Sequence, residues 1–337
     1  METARSALSP RTEQVVMQAI VQNGYGPADV LRVAQVARPA IAADEVLVQV
    51  RAAGVDRGVL ALMAGQPYAV RLALGLRGPH GRVAGMDVAG TVREIGAGVT
   101  RFSVGDEVFG LARGSYAEYA AARADKLARK PTRLGFESAA VVAVSGVTAL
   151  QGLRDAGRIQ AGQHVLVIGA SGGVGSFAVQ LCKAFGAEVT GVCSAAKMDL
   201  VRSLGADYVV DYTREDFADG ARRYDLIMDI AGDSGLARLR SALTPRGTLV
   251  ITGGESAGKW LGLGRQVHAL ATSPFVRQRL TAFITKQRQV DLEILAELIE
   301  AGKVTPYIGA TYPLSRVPDA VRLLQAGQAR GKIAISV

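Results

Sequence analysis

A glycine-rich turn in the middle of the chain constrains its fold more than any other feature. The segment from Gly169 to Gly175 (GASGGVG) follows the apolar run 164–168 and precedes the helix-like run 174–185. Glycine is needed where a strand turns sharply into a helix, where backbone approaches a pyrophosphate, and where helix packs on strand. The free N–H groups of the helix start favour phosphate oxygens. The predicted nucleotide-binding residues of this turn are Ala170, Ser171, Gly172, Gly173, Val174 and Gly175. A plain glycine-rich turn between strand and helix is the alternative.

Strands and helices alternate after about residue 136. Further strands are predicted at 188–192, 208–210, 226–230 and 248–251, and a further helix at 196–204. This alternation is typical of a doubly wound parallel sheet. The segment 259–286 is predicted as two amphipathic helices interrupted near Pro274, and 291–301 as another helix.

The two ends of the chain have β character. Residues 13–55 and 81–110 are rich in alternating apolar residues and glycines, and the last residues, GKIAISV, return to that pattern. We therefore expect the last strand to rejoin the first domain. The predicted divisions are a flexible N-terminus (1–12), the first part of a mostly-β catalytic domain (13–135), a nucleotide-binding domain (136–288) and a return to the catalytic domain (289–337).

Composition narrows the classes of partner. The net charge of +9 could suit nucleic acid, but Lys and Arg are scattered, and nine Tyr, eight Phe and one Trp offer few stacking surfaces, so no nucleic-acid partner is expected. The two cysteines, Cys182 and Cys193, form no CxxC pair, which disfavours a disulfide framework or a structural zinc site. The first dozen residues lack the apolar core of a signal peptide, and no window approaches the roughly 20 apolar residues of a membrane span. A cytoplasmic location is the default expectation.

The end of the second predicted strand indicates which nucleotide is bound. An NAD site places an acid there to bind the ribose 2′-hydroxyl. This chain instead reads Gly191-Val192-Cys193-Ser194, with Lys197 and Tyr212 beyond it. A hydroxyl, an ammonium and a phenol suit a 2′-phosphate, because they donate hydrogen bonds without repelling its charge. Ser194, Lys197 and Tyr212 therefore predict NADP(H). The alternative for Lys197 is a solvated helix residue.

Longer stretches resemble a known family over nearly the whole chain from residue 13. They are AAGVDRGV (52–59), GMDVAGTVREIGAGVTRFSVGDEV (85–108), SYAEYAA (115–121), SGVTALQGL (145–153), GASGGVGSFAVQLCKAFGAEVTGVCS (169–194), LGADYVVDY (204–212) and ARGKIAISV (329–337). The chain resembles zinc-independent medium-chain dehydrogenases/reductases of the quinone oxidoreductase type, in the branch with the reticulon-interacting mitochondrial oxidoreductase.

The resemblance implies an α/β fold with a GroES-like, mostly-β catalytic domain and an inserted Rossmann domain. It implies that Ser194, Lys197 and Tyr212 contact the 2′-phosphate and that Thr148 lies near the nicotinamide ribose. It further implies that Gly253 and Gly254 lie beside the nicotinamide, and that the protein is a homodimer.

The residues at the family's metal positions do not suit zinc. Zinc-using members carry Gly-His-Glu where this chain has Gly85-Met86-Asp87, and the positions of two further ligands hold Asp56 and Val144. A catalytic zinc needs three ligands of the His, Cys or carboxylate type. We therefore predict that no metal is used.

Without a Lewis acid, the acceptor must be polarised by hydrogen bonds or be electrophilic by itself, as quinones and conjugated enones are. Asp56 and Tyr68 match substrate-end positions of quinone oxidoreductases, although Asn is usual where this chain has Asp56. The alternatives are a turn-capping or paired Asp56 and a packing role for Tyr68. The leading hypothesis is an NADPH-dependent reductase of quinones or other electron-poor carbonyl compounds. A reductase of activated C=C bonds (enones, enoyl thioesters) and a non-catalytic NADPH-binding protein are the alternatives.

The segment 259–288 combines apolar residues with several arginines. It is predicted to cover the cleft or a subunit interface. A lipophilic substrate entrance or a peripheral contact with an anionic membrane surface is the alternative. The expected substrate is a hydrophobic small molecule.

Overall fold

The computed structural model describes residues 15–66, 68, 71–79, 83–232, 234–252 and 264–337. The strands are β1 Val16–Gln22, β2 Leu31–Ala37, β3 Glu45–Val55, β4 Asp87–Ile95, β5 Glu107–Leu111, β6 Tyr119–Arg123, β7 Leu127–Arg129, β8 His164–Ile168, β9 Glu188–Cys193, β10 Tyr208–Asp211, β11 Tyr224–Asp229, β12 Leu243–Ile251, β13 Arg279–Ala282, β14 Ile308–Pro313 and β15 Lys332–Ser336. The α-helices are α1 Arg57–Ala64, α2 Arg71–Leu74, α3 Phe136–Ala139, α4 Ala143–Gln151, α5 Gly173–Ala184, α6 Met198–Ser203, α7 Leu236–Ala242, α8 Gly264–Thr272, α9 Gln289–Glu300 and α10 Val317–Gln325.

The first domain is built on a mostly antiparallel sheet that both ends of the chain share. Its strand order is β14-β15-β3-β4-β5-β7, and β6 also pairs with β3. The last strand, β15, runs antiparallel to β3, with Ile333 opposite Val55. The expected return of the C-terminal strand is therefore confirmed. The domain boundaries themselves stay predictions.

The second sheet is the predicted doubly wound parallel sheet. Its order is β10-β9-β8-β11-β12-β13, and every pairing is parallel. The strand order reverses between β8 and β11, so the connections after these two strands diverge and leave a crevice at the carboxyl edge. Ligands of open α/β sheets bind in such a crevice.

One part of the predicted secondary structure is wrong. The segment after Pro274 was expected to form a helix, because Val276, Leu280 and Phe283 recur at helical spacing, but residues 279–282 form strand β13. This strand extends the sheet beside β12 and buries Leu280. Pairing with the sheet edge outweighs the local pattern, which is common for short apolar runs. Of the preceding predicted helix, residues 259–263 lie outside the described residues.

Helix α4 joins the two sheets through a shared core. Its side chains Val147 and Leu150 are fully buried, in one cluster with Ala89 and Phe109 of the first sheet and Val165 of the second. A continuous apolar core of this kind fixes the relative position of the elements that contribute to it. The cleft between the sheets is thus defined by packing on both sides of α4.

Candidate functional site

The glycine-rich turn has a backbone that only glycine allows at two points. Gly169 directly follows β8 and has a φ of +88°. A Cβ atom on Gly175 would lie 2.1 Å from the carbonyl oxygen of Gly169, which is far inside contact distance. Helix α5 begins at Gly173 after an extended Gly172, and the N–H groups of its first turn lack partners within the helix. Within the turn, the side chains of Ala170 and Ser171 are buried. The turn therefore presents N–H donors at the carboxyl edge of the sheet.

The three residues predicted to bind the 2′-phosphate follow adjacent strands. Cys193 and Asp211 are register partners in β9 and β10, so Ser194 and Tyr212 leave the sheet side by side. Tyr212 is exposed, and its N–H donates to the carbonyl of Cys193 at 3.2 Å. Lys197 lies in the 3₁₀ turn Ala195–Lys197, and its Nζ donates to the carbonyl oxygens of Gly327 (3.1 Å) and Ala329 (2.8 Å). The ammonium thus contacts the segment that leads into β15.

Positive groups from three parts of the chain act on this spot. Burial lowers the pKa of Lys197, and the nearby charges of Arg330 and Arg57 lower it further. Burial also raises the pKa of Cys193 to about 11, so its thiol stays neutral and brings no negative charge. Convergent cations create a local positive potential that attracts an anion. Sequence reasoning did not assign Arg330 or Arg57 to this spot, because proximity across the fold leaves no local pattern.

Thr148 lies on α4, and the structure shows its hydroxyl already engaged. Its Oγ1 donates to the carbonyl of Val144 at 2.7 Å and lies 3.1 Å from the Oγ1 of Thr285. Gly253 and Gly254, predicted beside the nicotinamide, lie outside the described residues.

Asp56 caps helix α1. Its Oδ1 accepts hydrogen bonds from the N–H groups of Gly58 (2.6 Å) and Val59 (3.3 Å), which is the usual role of Asp at a helix start. The side chain is buried, and its Oδ2 has no hydrogen-bond partner within the described residues. Capping was one of the alternatives for Asp56, and its second oxygen is inaccessible to solvent.

Tyr68 lies beside a cationic side chain on the segment after α1. The guanidinium carbon of Arg71 is 4.7 Å from the Tyr68 ring centroid and 4.5 Å from that of Tyr25. Stacking of this kind orients an aromatic ring. Both Asp56 and Tyr68 belong to the first domain, at the start of α1 and just beyond its end.

A buried charged pair lies on the first sheet where it meets α4, and the sequence reasoning missed it. Asp87 is fully buried; its Oδ1 accepts from the N–H of Val144 at 3.0 Å, and its Oδ2 lies 3.6 Å from the Nζ of Lys332. Lys332 also donates to the Oγ of Ser145 at 2.9 Å. Burial raises the pKa of Asp87 to about 7, the Lys332 charge opposes this rise, and the Asp56 charge adds to it. The sequence signal that could have revealed this pair is a charged residue within each of two apolar runs, Asp87 in MDVAG and Lys332 in GKIAI.

Within the described ranges, no three or more His, Cys, Asp or Glu side chains are grouped closely enough to hold a metal ion. In the same residues, no helix combines the length and apolar character needed to cross a bilayer.

Comparisons with known proteins agree with this architecture. The model of the alcohol dehydrogenase GroES-like domain matches residues 42–132, and that of the zinc-binding dehydrogenase matches residues 204–335. The tomato 2-methylene-furan-3-one reductase is 34% identical over 95% of this chain and 79% of its own length. The human mitochondrial NAD(P)H oxidoreductase RTN4IP1 is 34% identical over 98% of this chain and 91% of its own length.

Two solved structures are similar over their whole length. The quinone oxidoreductase of Coxiella burnetii superposes with a TM-score of 0.84 at 29% identity, covering 96% of this chain and 100% of that chain. A mycobacterial protein complexed with NADPH superposes with a TM-score of 0.82 at 27% identity, covering 95% and 100%. The similarity therefore extends over both sheets.

The two glycines Gly175 and Gly172 are expected to respond differently to substitution. Gly175→Ala should destabilise the protein by several kcal/mol, because its Cβ would overlap the backbone of Gly169. In Gly172→Ala, the added Cβ would meet only the oxygen of Gly169 at 3.4 Å, so the fold should remain while the methyl group obstructs a phosphate at the helix start. Chemical denaturation and calorimetric titration with NADPH measure the two effects. Equal behaviour of the two variants in both measurements would contradict this division of roles.

Proposed function

The chain belongs to the medium-chain dehydrogenase/reductase family, and from this premise we propose that it is an NADPH-dependent, zinc-independent reductase of quinones and other electron-poor carbonyl compounds. The observation that carries the proposal is the state of Asp56. Its Oδ1 accepts hydrogen bonds from two backbone N–H groups, and its Oδ2 is buried out of reach of solvent, so the carboxyl group is held as a helix cap and is not presented to a substrate carbonyl. An acceptor that is electrophilic without such help fits this site best.

The proposed nucleotide is NADP(H). In support, β9 ends without an acid, and Ser194, Lys197 and Tyr212 lie together at the carboxyl edge. One similar structure contains NADPH, and RTN4IP1 is named an NAD(P)H oxidoreductase. The glycine turn from Ala170 to Gly175 would hold the pyrophosphate by its N–H groups, with Thr148, Gly253 and Gly254 remaining predicted neighbours of the nicotinamide and its ribose.

NADPH, when bound, supplies a hydride to the acceptor, and together with one proton this converts a quinone into a hydroquinone. The residues of the chain then have two tasks, to orient the acceptor and to exclude water. Tyr68, with its ring stacked on Arg71, is the proposed orienting group at the substrate end. The proton comes from solvent or from the Tyr68 hydroxyl.

Reduction of activated C=C bonds is the second candidate. The tomato relative is named as the reductase of a 2-methylene-furan-3-one, a ketone with an adjacent exocyclic double bond. Such a substrate gains a hydride at one carbon and a proton at the next. A positioned proton donor therefore contributes more to this reaction than to quinone reduction, and Tyr68 is the candidate.

An acceptor panel tests the proposed reaction. The wild type should oxidise NADPH faster with benzoquinones and naphthoquinones than with methyl vinyl ketone or an enoyl thioester. Tyr68→Phe should leave quinone turnover within about twofold and lower enone turnover about 100-fold, because only the latter needs the donor. The matched control is Tyr119→Phe, since Tyr119 also stacks under an arginine, Arg38, but on β6. Saturable NADPH binding with no turnover of any acceptor would favour the non-catalytic alternative.

The nucleotide preference is tested at Lys197. Lys197→Ala should weaken NADPH binding about 10- to 100-fold, the usual effect of losing a hydrogen bond to a charged group. NADH binding should hardly change, because NADH lacks the 2′-phosphate. Lys183→Ala serves as control, because Lys183 pairs with Asp207. Equal weakening of both nucleotides would instead indicate that Lys197 only holds the segment 327–329 in place.

A homodimer is the proposed assembly, formed through the surface around β13. Within the described residues, this strand is paired only with β12, and it is flanked by Phe275 and Ile284, which are 87% and 84% exposed. Val267 and Leu270 of α8 are also exposed. An open strand edge beside exposed apolar side chains is a common site of association. The cytoplasmic location stays a prediction.

Sedimentation tests this surface. The wild type should sediment as a dimer at micromolar concentration, and Phe275→Glu should give a folded monomer, because the charge cannot be buried against a second copy. Leu72→Glu is the control, since Leu72 is equally exposed on α2. A wild-type monomer that co-sediments with anionic vesicles at physiological salt would replace the dimer by the membrane contact predicted as its alternative for 259–288.

A further inference from the structure

The buried pair of Asp87 and Lys332 connects the catalytic domain to the start of α4. Asp87 on β4 accepts from the N–H of Val144, while Lys332 on β15 donates to the hydroxyl of Ser145. Both side chains are almost completely inaccessible, with Asp87 at 0% and Lys332 at 2% exposure. The Oδ2 of Asp87 has no hydrogen-bond partner within the described residues. An oxygen that makes no hydrogen bond and lies 3.6 Å from its ion-pair partner leaves room for a proton on the carboxyl group.

The charged and titratable groups around Asp87 come from three directions. Lys332 faces it from β15, Asp56 from the start of α1, and the phenol of Tyr116 from the segment before β6. Tyr116 stays neutral, because burial and both carboxylates raise its pKa, and its hydroxyl donates to the carbonyl of Gly54 at 3.1 Å. The balance is thus one ammonium against two carboxyl groups. Any new negative charge nearby shifts this balance toward a protonated Asp87.

Lys332 also lies next to the glycine turn. A Cβ on Gly173, the first residue of α5, would lie 3.0 Å from the Cδ of Lys332 and 3.1 Å from the Oγ of Ser145. The N–H of Gly331, the preceding residue, donates to the carbonyl of Ser171 at 2.8 Å. The ammonium therefore lies beneath the helix start that is proposed to hold the pyrophosphate. A charge bound there acts on Lys332 and Asp87 through the protein interior, where charges are screened less than in water.

We propose that binding of NADPH is coupled to the uptake of one proton from solvent by Asp87, with Lys332 as the connecting charge. The proposal rests on the proposed NADPH site. The pyrophosphate attracts the ammonium of Lys332, which weakens the attraction of this ammonium for the Asp87 carboxylate. The negative charge of the pyrophosphate also repels the Asp87 carboxylate directly. Both effects favour the neutral carboxyl group. By linkage, the affinity for NADPH falls as the pH rises through the range in which Asp87 ionises in the nucleotide-free protein.

Calorimetric titration of the full chain with NADPH measures this coupling directly. Titrations at about pH 7.5 in HEPES and in Tris, which differ in ionisation enthalpy and contain no phosphate to compete for the site, give the number of protons exchanged. A charge roughly 10 Å from Asp87, at an effective dielectric constant of about 20, raises the pKa of the carboxyl group by about one. The expected result is therefore an uptake of about half a proton. The affinity for NADPH should fall up to about tenfold between about pH 6.5 and 8.5. Protonation of the 2′-phosphate contributes equally in every variant and cancels on comparison.

Three variants isolate Asp87. Asp87→Asn keeps the hydrogen bond from Val144 but cannot take up a proton, so the uptake should disappear and affinity should vary less with pH. Lys332→Met should also abolish uptake, because Asp87 without its partner is protonated before the nucleotide binds. Asp106→Asn, which removes a carboxylate of the same domain that pairs with Arg129, should behave as the wild type.

The outcomes separate the inference from the function. NADPH binding with no uptake, with proton release, or with uptake that persists in Asp87→Asn overturns the coupling and leaves the nucleotide site standing. Absence of NADPH binding by the folded wild type overturns both. If the Asp87 and Lys332 variants do not fold, the wild-type profile decides. Uptake that is greatest between about pH 7 and 8 supports the coupling, because the 2′-phosphate titrates at about pH 6 and releases protons on binding to cations. A profile without this maximum overturns it.

Discussion

The antiparallel pairing of β15 with β3 is the constraint on which the rest of the structure depends. It returns the end of the chain to the first sheet after the parallel sheet has been completed. The residues just before β15 thereby reach the glycine turn, through Gly331 and Ser171, and the 3₁₀ turn after β9, through Lys197. If this strand were displaced, the first domain would lose these contacts with both of the regions proposed to bind phosphate. The nucleotide site is therefore a property of both domains, although the sequence places its motif in one.

The local parts of this site could be predicted from the sequence because local chemistry determines them. Glycine at 169 and 175 is required by a backbone that no other residue adopts without strain or overlap. The turn can therefore be recognised from its sequence alone. Ser194 and Tyr212 could be placed together because parallel strands end at the same edge. The alternation of strands and helices also predicted the parallel sheet, because the spacing of apolar residues within each element indicates whether it is a strand or a helix and which face it buries.

The parts that failed or were missed depend on contacts between distant residues. The spacing of apolar residues around Leu280 predicted a helix, but this segment pairs with the edge strand β12 of the parallel sheet. No local sequence pattern indicates this pairing, because β12 is distant in the sequence. Asp87 and Lys332 are 245 positions apart in the numbering, and only the return of β15 brings them within 3.6 Å. Arg330 and Arg57 reach Lys197 in the same way. The role of Asp56 is intermediate: its capping geometry is local, but the burial of its free oxygen is not.

The charges of the cleft follow a consistent division. Cations converge where an anionic phosphate is expected, whereas the two carboxyl groups, Asp56 and Asp87, lie in the buried interior of the catalytic domain. Burying a carboxyl group is costly unless it is protonated or paired. Asp56 meets this condition with two backbone N–H groups, while Asp87 has one N–H and an ammonium that it shares with Ser145. Burial raises the pKa of Asp87 to about 7 against the opposing charge of Lys332, and Lys332 also packs against the glycine turn, so the protonation of Asp87 is sensitive to whatever occupies that turn.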